Sequence, residues 1–445
     1  MKNSLEATRW NSLGNFRLFV RRALQSTVAR NALSLYSFRF SNYLLQLILV
    51  PYLVRMLGAG SFGILGFAQG LVNSFAVIVD YGFDWSATRE ISIRRENIEG
   101  ASRVAMSIWG AKLCLCLLCL VALLPVTLLV AKVRMAALLV WALTGIMFGR
   151  VLFPTWLFQG LERMGAIAVI NVSIRAIGLL TLILLVRGPD DLLVCVIILS
   201  GQSFLTGVCG AIYAFVKFKI QLVAPSWRDI VKSLKDGWAL FLSSGASILY
   251  LSGNSFILGM LVPDMSLVGY YDAAERLVRV AMDPLGPIYQ AFFPRINQLA
   301  HVSKELTLRE GRRVLAFLVP LGIAIFAVMM VGAPIIVRVV FGAKFMASAG
   351  ILRILSFNVL NLALAAVWST LMMMSFKRDY AVVKILLGAG LVNVGLAFLL
   401  VPAYGAKGMA ACVVAAETFV NVSSFLYTLK HGLNPLRLKL GQERD

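Results

Sequence analysis

Four arginines stand where the chain is otherwise apolar: Arg150, Arg175, Arg276 and Arg279. A guanidinium grips phosphate oxygens through two parallel hydrogen bonds. Holding one at bilayer depth costs about 2.5 to 3.5 kcal/mol on insertion scales, so unneeded cations there should be rare. The chemistry on offer is reversible binding of a phosphate-bearing anion. Arg150 and Arg175 have no acid close in sequence. Arg276 and Arg279 follow Asp272 and Glu275 by four residues, so neutralisation along one helix is the alternative reading for them. Lys112, Lys384 and Arg353 complete the candidate cavity cations. Lys112 and Lys384, with Arg39, also lie within snorkelling reach of one surface, and Arg353, with Arg55, stands near the other as either an anchor or an exit-gate contact.

Acids are scarcer. Asp80 and Asp84 sit beside Arg89, where a structural ion pair is expected. Asp283 precedes Pro284, Gly286 and Pro287, a stretch that should break its helix, and Glu417 falls within an apolar run; both are candidate sites for a coupling proton or sodium ion. Catalytic constellations are not visible. His301 and His431 are the only histidines, both in polar connections, and no Walker-type phosphate loop appears. Cys114, Cys116, Cys119, Cys195, Cys209 and Cys412 lie in apolar stretches without metal-ligand spacing. No metal, no cofactor and no enzymatic activity are expected.

The elements that must carry these residues are membrane spans. The 445 residues are 60% hydrophobic and 14% charged, with a mean hydropathy of +0.84, well outside the range of soluble domains. The net charge of +21 would point to nucleic acid in a soluble protein, but most cations here lie in short connections between apolar runs. About twelve spans are read, at Leu33–Leu57, Phe62–Ala87, Met106–Ala131, Ala136–Phe158, Ala166–Val186, Leu192–Val216, Gly237–Val262, Val268–Leu299, Val314–Val337, Gly350–Ser375, Tyr380–Val401 and Gly405–Leu429. The cations are roughly fourfold richer on one set of alternate connections, which places both termini in the cytoplasm. The N-terminal arm, residues 1–32, is basic and shows no cleavable leader. Within it Phe16, Phe19, Val20 and Leu24 alternate with Arg17, Arg21 and Arg22, as in a helix lying on an anionic leaflet or a disordered basic tail.

The longest cytoplasmic connection, residues 217–236, separates two six-span lobes, 33–216 and 237–429, ahead of a cytoplasmic tail at 430–445. Ser226 is a plausible N-cap for an amphipathic bridging helix carrying Trp227, Ile230, Val231 and Leu234. Outer connections are short, which counts against a glycan polymerase or acyltransferase with a catalytic external loop. Val54–Ala68 and Leu258–Ala273 show a faint internal repeat, an apolar helix end followed by a tight turn and a glycine.

Several stretches, in order, resemble the Wzx-type O-antigen and exopolysaccharide flippases. They are Pro51-Tyr52-Leu53-Val54-Arg55-Met56-Leu57-Gly58 with Phe62-Gly63, Asp80-Tyr81-Gly82-Phe83 with Ala87-Thr88-Arg89-Glu90, Gly269-Tyr270-Tyr271-Asp272-Ala273-Ala274-Glu275-Arg276-Leu277 with Phe293-Pro294-Arg295, and Val401-Pro402-Ala403-Tyr404-Gly405-Ala406-Lys407-Gly408. The likeness covers nearly the whole chain. It implies the exporter superfamily that also holds the multidrug MATE transporters: an all-α membrane protein whose two lobes surround a central cavity in the bacterial inner membrane. It further implies alternating access, undecaprenyl-diphosphate-linked oligosaccharide as cargo, and a polysaccharide polymerase and chain-length regulator as partners. A cation-coupled multidrug exporter and a lipid II flippase are the alternatives; the first favours an acidic cavity and the second usually has fourteen spans.

Overall fold

The computed structural model describes residues 27–247 and 253–437, and every regular element among them is helical. The amphipathic reading of Phe16 to Leu24 and the tail cations Lys439 and Arg444 lie outside the described residues. Eight described stretches are long and apolar enough to cross a membrane. Two of them, Leu44–Ile93 and Asp379–Lys430, run to 50 and 52 residues, about twice what one crossing requires. Each is broken by a glycine: Gly58 has φ 70° and ψ 174°, and Gly405 has φ 56° and ψ −131°. A Cβ disfavours those angles, and both breaks fall at the hairpins expected from the sequence.

In chain order the helices are α1 (Thr27–Asp80), α2 (Phe83–Ile93), α3 (Ile98–Leu129), α4 (Ala131–Met135), α5 (Ala137–Leu143), α6 (Gly145–Leu152), α7 (Thr155–Gly160), α8 (Met164–Leu185) and α9 (Leu192–Lys217). Then follow α10 (Trp227–Ser247), α11 (Asn254–Leu261), α12 (Met265–Met282), α13 (Leu285–Val302), α14 (Lys304–Val340), α15 (Ala347–Leu355), α16 (Phe357–Ala365), a π-helical stretch Ala366–Met374, and α17 (Asp379–Lys430). The expected fourth span is segmented as α5 to α7, with Phe153-Pro154 interrupting it next to Arg150; a proline cannot donate to the preceding turn. The expected eighth span breaks between Met282 and Leu285, where Pro284 stands. Ser226 caps α10 as read, its Oγ accepting from the Arg228 amide at 3.2 Å. That helix differs from expectation in length, because the bridging segment and the start of the next span form one continuous element.

The outer surface of α3 shows why the chain needs a bilayer. Leu113, Leu117, Leu118, Val121, Leu124 and Leu128 are all exposed, forming a wide apolar stripe at helical spacing that only lipid can cover. Inside, the main apolar core joins α1, α3, α5, α6, α11, α12 and α14 to α17. The tryptophans divide. Trp85 and Trp238 are exposed, whereas Trp109, Trp156 and Trp368 are buried. Trp109 lies between Trp156 and Phe215, with centroids 5.8 and 5.3 Å away, and Trp368 packs edge-on to Phe425 at 5.3 Å.

Candidate functional site: a charged chamber between the halves

The second arm of α1 places Gly66, Gln69, Gly70, Asn73, Val77 and Asp80 at spacings of three and four, hence on one helical face. All six line a cavity of about 700 Å³. The rest of its wall comes from α2 (Asp84), α3 (Lys112), α6 (Arg150), α8 (Asn171, Arg175), α9 (Gln202, Ser203, Thr206), α11 (Ser255) and α12 (Asp272, Glu275, Arg276, Arg279). Both sequence halves therefore contribute. Five of the seven candidate cations, Lys112, Arg150, Arg175, Arg276 and Arg279, converge here.

Four of the five are paired. Asp80 serves two of them: Arg150 Nη1 lies 2.6 Å from its Oδ2 and Lys112 Nζ 3.2 Å from its Oδ1. Lys112 is only 2% exposed and donates again to the Arg150 carbonyl at 3.1 Å, so the snorkelling reading of Lys112 is replaced by a buried bridge. Arg89, the partner expected for Asp80, is not the residue it meets. Arg276 donates to Asp272 Oδ2 at 3.0 Å and to Gln69 Oε1 at 3.0 Å, with its guanidinium 5.2 Å from the Phe62 ring. Arg279 pairs with Glu275 at 2.8 Å. The local pairing weighed for Arg276 and Arg279 is therefore present. Arg175 is exposed to the cavity and has no ion-pair or hydrogen-bond partner among the described residues. Five cations against the four carboxylates Asp80, Asp84, Asp272 and Glu275 leave the wall one positive charge in excess.

The remaining candidates lie elsewhere. Arg353 is exposed and donates from Nε to the Met330 carbonyl at 3.2 Å, because its position on α15 points it along α14 and away from the chamber. Lys384 is exposed, its ammonium 4.7 Å from the Tyr380 ring, as a surface anchor one turn along the same helix. Neither lines the cavity. Asp283 caps the end of α12, and Glu417 sits on α17 beside Thr418, whose hydroxyl accepts from Asn361 at 3.1 Å. Both carboxylates lie outside the chamber wall.

One face of the molecule is closed by contacts between the halves. A Cβ added to Gly63 would meet the Met265 carbonyl oxygen at 1.8 Å, and one on Gly269 would meet the Ala59 oxygen at 2.1 Å. The two repeat-like stretches recognised in the sequence thus pack against each other. Beside this crossing, Lys132 Nζ donates to the carbonyls of Gly259, Met260 and Val262 at 3.0, 2.9 and 2.6 Å, at the end of α11. Burial pushes the Lys132 ammonium below its usual range. Arg55 Nε likewise donates to Val340 O at 3.1 Å, with Nη2 on Val339 O. Both cations cap the negative ends of helices from the other half. The chamber extends away from this face, along α1 from Gly66 toward Asp84.

Sequence reasoning singled out charges and passed over the neutral polar wall of Gln69, Asn73, Asn171, Gln202, Ser203 and Thr206. The signal was present in α1, where the polar residues recur at helical spacing up to Asp80. The bridging role of Asp80 had no such signal, since Lys112 and Arg150 are far from it along the chain.

The sequence matches the polysaccharide biosynthesis protein family over residues 28–300. It is similar, at 28% identity, to a candidate O-antigen transporter of Escherichia coli K12, over 92% of this chain and 98% of that one. A candidate O-antigen transporter of Shigella dysenteriae is also 28% identical, over 88% and 97%. Among solved structures, the fold resembles a MATE transporter in complex with MaD3S (TM-score 0.59, 18% identity, 92% and 96% coverage). It also resembles a MOP-superfamily transporter of Pyrococcus furiosus described by the reversed polarity of its binding pocket (TM-score 0.55, 18% identity, 91% and 95% coverage). Together with the all-helical architecture, these likenesses make the fold MATE-like, and the chain belongs to the polysaccharide biosynthesis protein family.

Proposed function

We propose that this protein is a flippase that carries undecaprenyl-diphosphate-linked oligosaccharide units from the cytoplasmic to the periplasmic leaflet of the inner membrane, for O-antigen or exopolysaccharide assembly. The observation that carries the reading is the convergence of five cations on one chamber with Arg175 left unpaired among the described residues. A diphosphate crossing the bilayer interior needs such partners, because an unpaired anion there is costly. The neutral amides and hydroxyls of α1, α8 and α9 offer donors and acceptors suited to sugar hydroxyls. The candidate O-antigen transporters support the cargo class.

In this reading two six-span lobes alternate access. The face closed by Gly63, Gly269, Arg55 and Lys132 is periplasmic, in keeping with its cation-poor connections, and the chamber opens to the cytoplasmic side where cargo is made. A proton or sodium ion drives the cycle, with Asp283 and Glu417 as coupling carboxylates, and a polymerase and chain-length regulator receive the product. A multidrug exporter for cationic compounds would be better served by an acidic chamber than by one with a surplus cation. The protein is tested in a strain deleted for this gene: loss of surface polysaccharide, restored by the wild-type gene and not by Arg175→Ala at equal abundance, is expected. Intact polysaccharide with raised sensitivity to cationic dyes overturns the proposal.

A further inference from the structure

Two of the carboxylates that neutralise chamber cations, Asp272 along one helix and Asp80 across helices, are held very differently. Asp272 is 7% exposed. It accepts from Arg276 and from the Ser255 hydroxyl, and it lies so close to Gly66 that a Cβ there would meet its Oδ2 at 2.9 Å. It is locked in place. Asp80 is 28% exposed, and its partner Arg150 is 35% exposed at the same wall. It is also the last residue of α1, directly before Tyr81 and Gly82 with φ of 47° and 77°. A carboxylate at a helix C-terminus faces the negative end of the macrodipole, and the helix ends at this residue. Among the described residues its hold rests on the two cations, whereas Lys112 and Arg150 have further polar partners: Lys112 keeps the Arg150 carbonyl, and Arg150 Nη2 reaches Asn73 Oδ1 at 3.4 Å.

We infer that Asp80 is an exchangeable counter-anion: it occupies the Lys112 and Arg150 donors while the chamber is empty and is displaced from them by the diphosphate of the cargo. The inference rests on the flippase reading for the identity of the anion. Two consequences follow from charge balance. In an empty chamber neither the buried Lys112 nor Arg150 is left unpaired as the halves move, which limits the desolvation cost of the return step. A bound diphosphate must compete with Asp80, so binding is weaker than the same cations alone would allow, and release is easier. Asp80 is therefore a positioning residue of opposite sign to its neighbours, because removing it strengthens binding where removing them weakens it.

The test is calorimetric binding of geranyl diphosphate, a short prenyl diphosphate, to the purified full-length protein in nanodiscs. Asp80→Asn alone strands the buried Lys112 and could fail to fold, so the decisive pair is Lys112→Met against Asp80→Asn/Lys112→Met, which differ only in the carboxylate. The double variant is expected to bind roughly tenfold tighter than Lys112→Met, the size of one competing half-exposed charge contact. Equal or weaker binding by the double variant overturns the inference and makes Asp80 a structural partner. If that result comes with loss of binding in Arg175→Ala, the inference fails while the flippase reading stands. If neither the wild type nor any variant binds the diphosphate, both fall together.

Discussion

Gly63 and Gly269 lie against each other's helices with no room for a side chain, each glycine facing the other helix's backbone. Gly63 stands on the second arm of α1 and Gly269 on α12, so this contact joins the two halves of the chain at the closed face. Small residues let helix backbones approach where lipid gives no hydrophobic drive to association. Gly269→Ala is expected to force the crossing apart and open the closed face. A cysteine placed at Gln69, in the chamber, would then be labelled faster by a membrane-impermeant thiol reagent from outside the cell, and surface polysaccharide would fall. Unchanged labelling in a variant of normal abundance would show that this crossing is not the gate.

Lys132 and Arg55 hold the same face by a separate means. Each donates to backbone carbonyls at the end of a helix from the other half; the part-buried bonds of Lys132 contribute about 1.5 to 3 kcal/mol apiece, and the exposed ones of Arg55 about 1 kcal/mol or less. Lys132→Met is therefore expected to shift the balance toward the open face about tenfold or more, and Arg55→Gln by less than about tenfold, read as inter-spin distances between labels placed on the two halves. Lys132→Arg, which retains a charged donor, should recover part of the closed population. If Lys132→Met leaves the distances unchanged, the contact is an anchor only.

The hairpins at Gly58 and Gly405, the break at Pro284 and the lipid-facing stripe of α3 were legible because each depends on local properties: a φ that excludes Cβ, a missing amide donor, an unbroken apolar face. The cations inside the apolar runs were legible for the same reason. Their partners were not. Asp80 meets Lys112 and Arg150 across three different helices, and sequence proximity instead pointed to Arg89. Pairing four residues apart, as between Asp272 and Arg276, could be read from the helix period, whereas contacts between distant helices follow from packing that no single segment encodes. The same limit applies to Arg353, whose place in an apolar run was readable but whose direction around the helix was not.

Arg353 and Lys384 supply a control. Both are exposed outside the chamber, one against the Met330 carbonyl and one against the Tyr380 ring. Exposed contacts of this kind contribute about 1 kcal/mol or less. Arg353→Gln and Lys384→Gln are expected to leave surface polysaccharide within about twofold of the wild type at matched abundance. A loss as deep as that of Arg175→Ala would return them to the transport path and show that the chamber in this conformation does not contain the whole route.

Arg175 and Arg276 line one cavity yet should fail in different ways when neutralised. Arg276 belongs to a buried network with Asp272, Ser255, Gln69 and the Phe62 ring. Arg276→Gln leaves the Asp272 carboxylate without its counter-charge at 7% exposure, and breaking a buried pair from one side costs about 3 to 5 kcal/mol. A lowered melting temperature in detergent is expected, with export falling as folded protein is lost. Restoring neutrality through Asp272→Asn/Arg276→Gln should recover much of that stability. Arg175 has no such partner among the described residues, and its exposed guanidinium contributes little to the fold. Arg175→Gln is expected to melt within about a degree or two of the wild type, since exposed substitutions usually stay within about 0.5 kcal/mol, while export drops severely. The two measurements together separate a cation kept for architecture from one kept for cargo: equal stability losses in both variants would assign Arg175 to the fold and leave the chamber without a free phosphate partner.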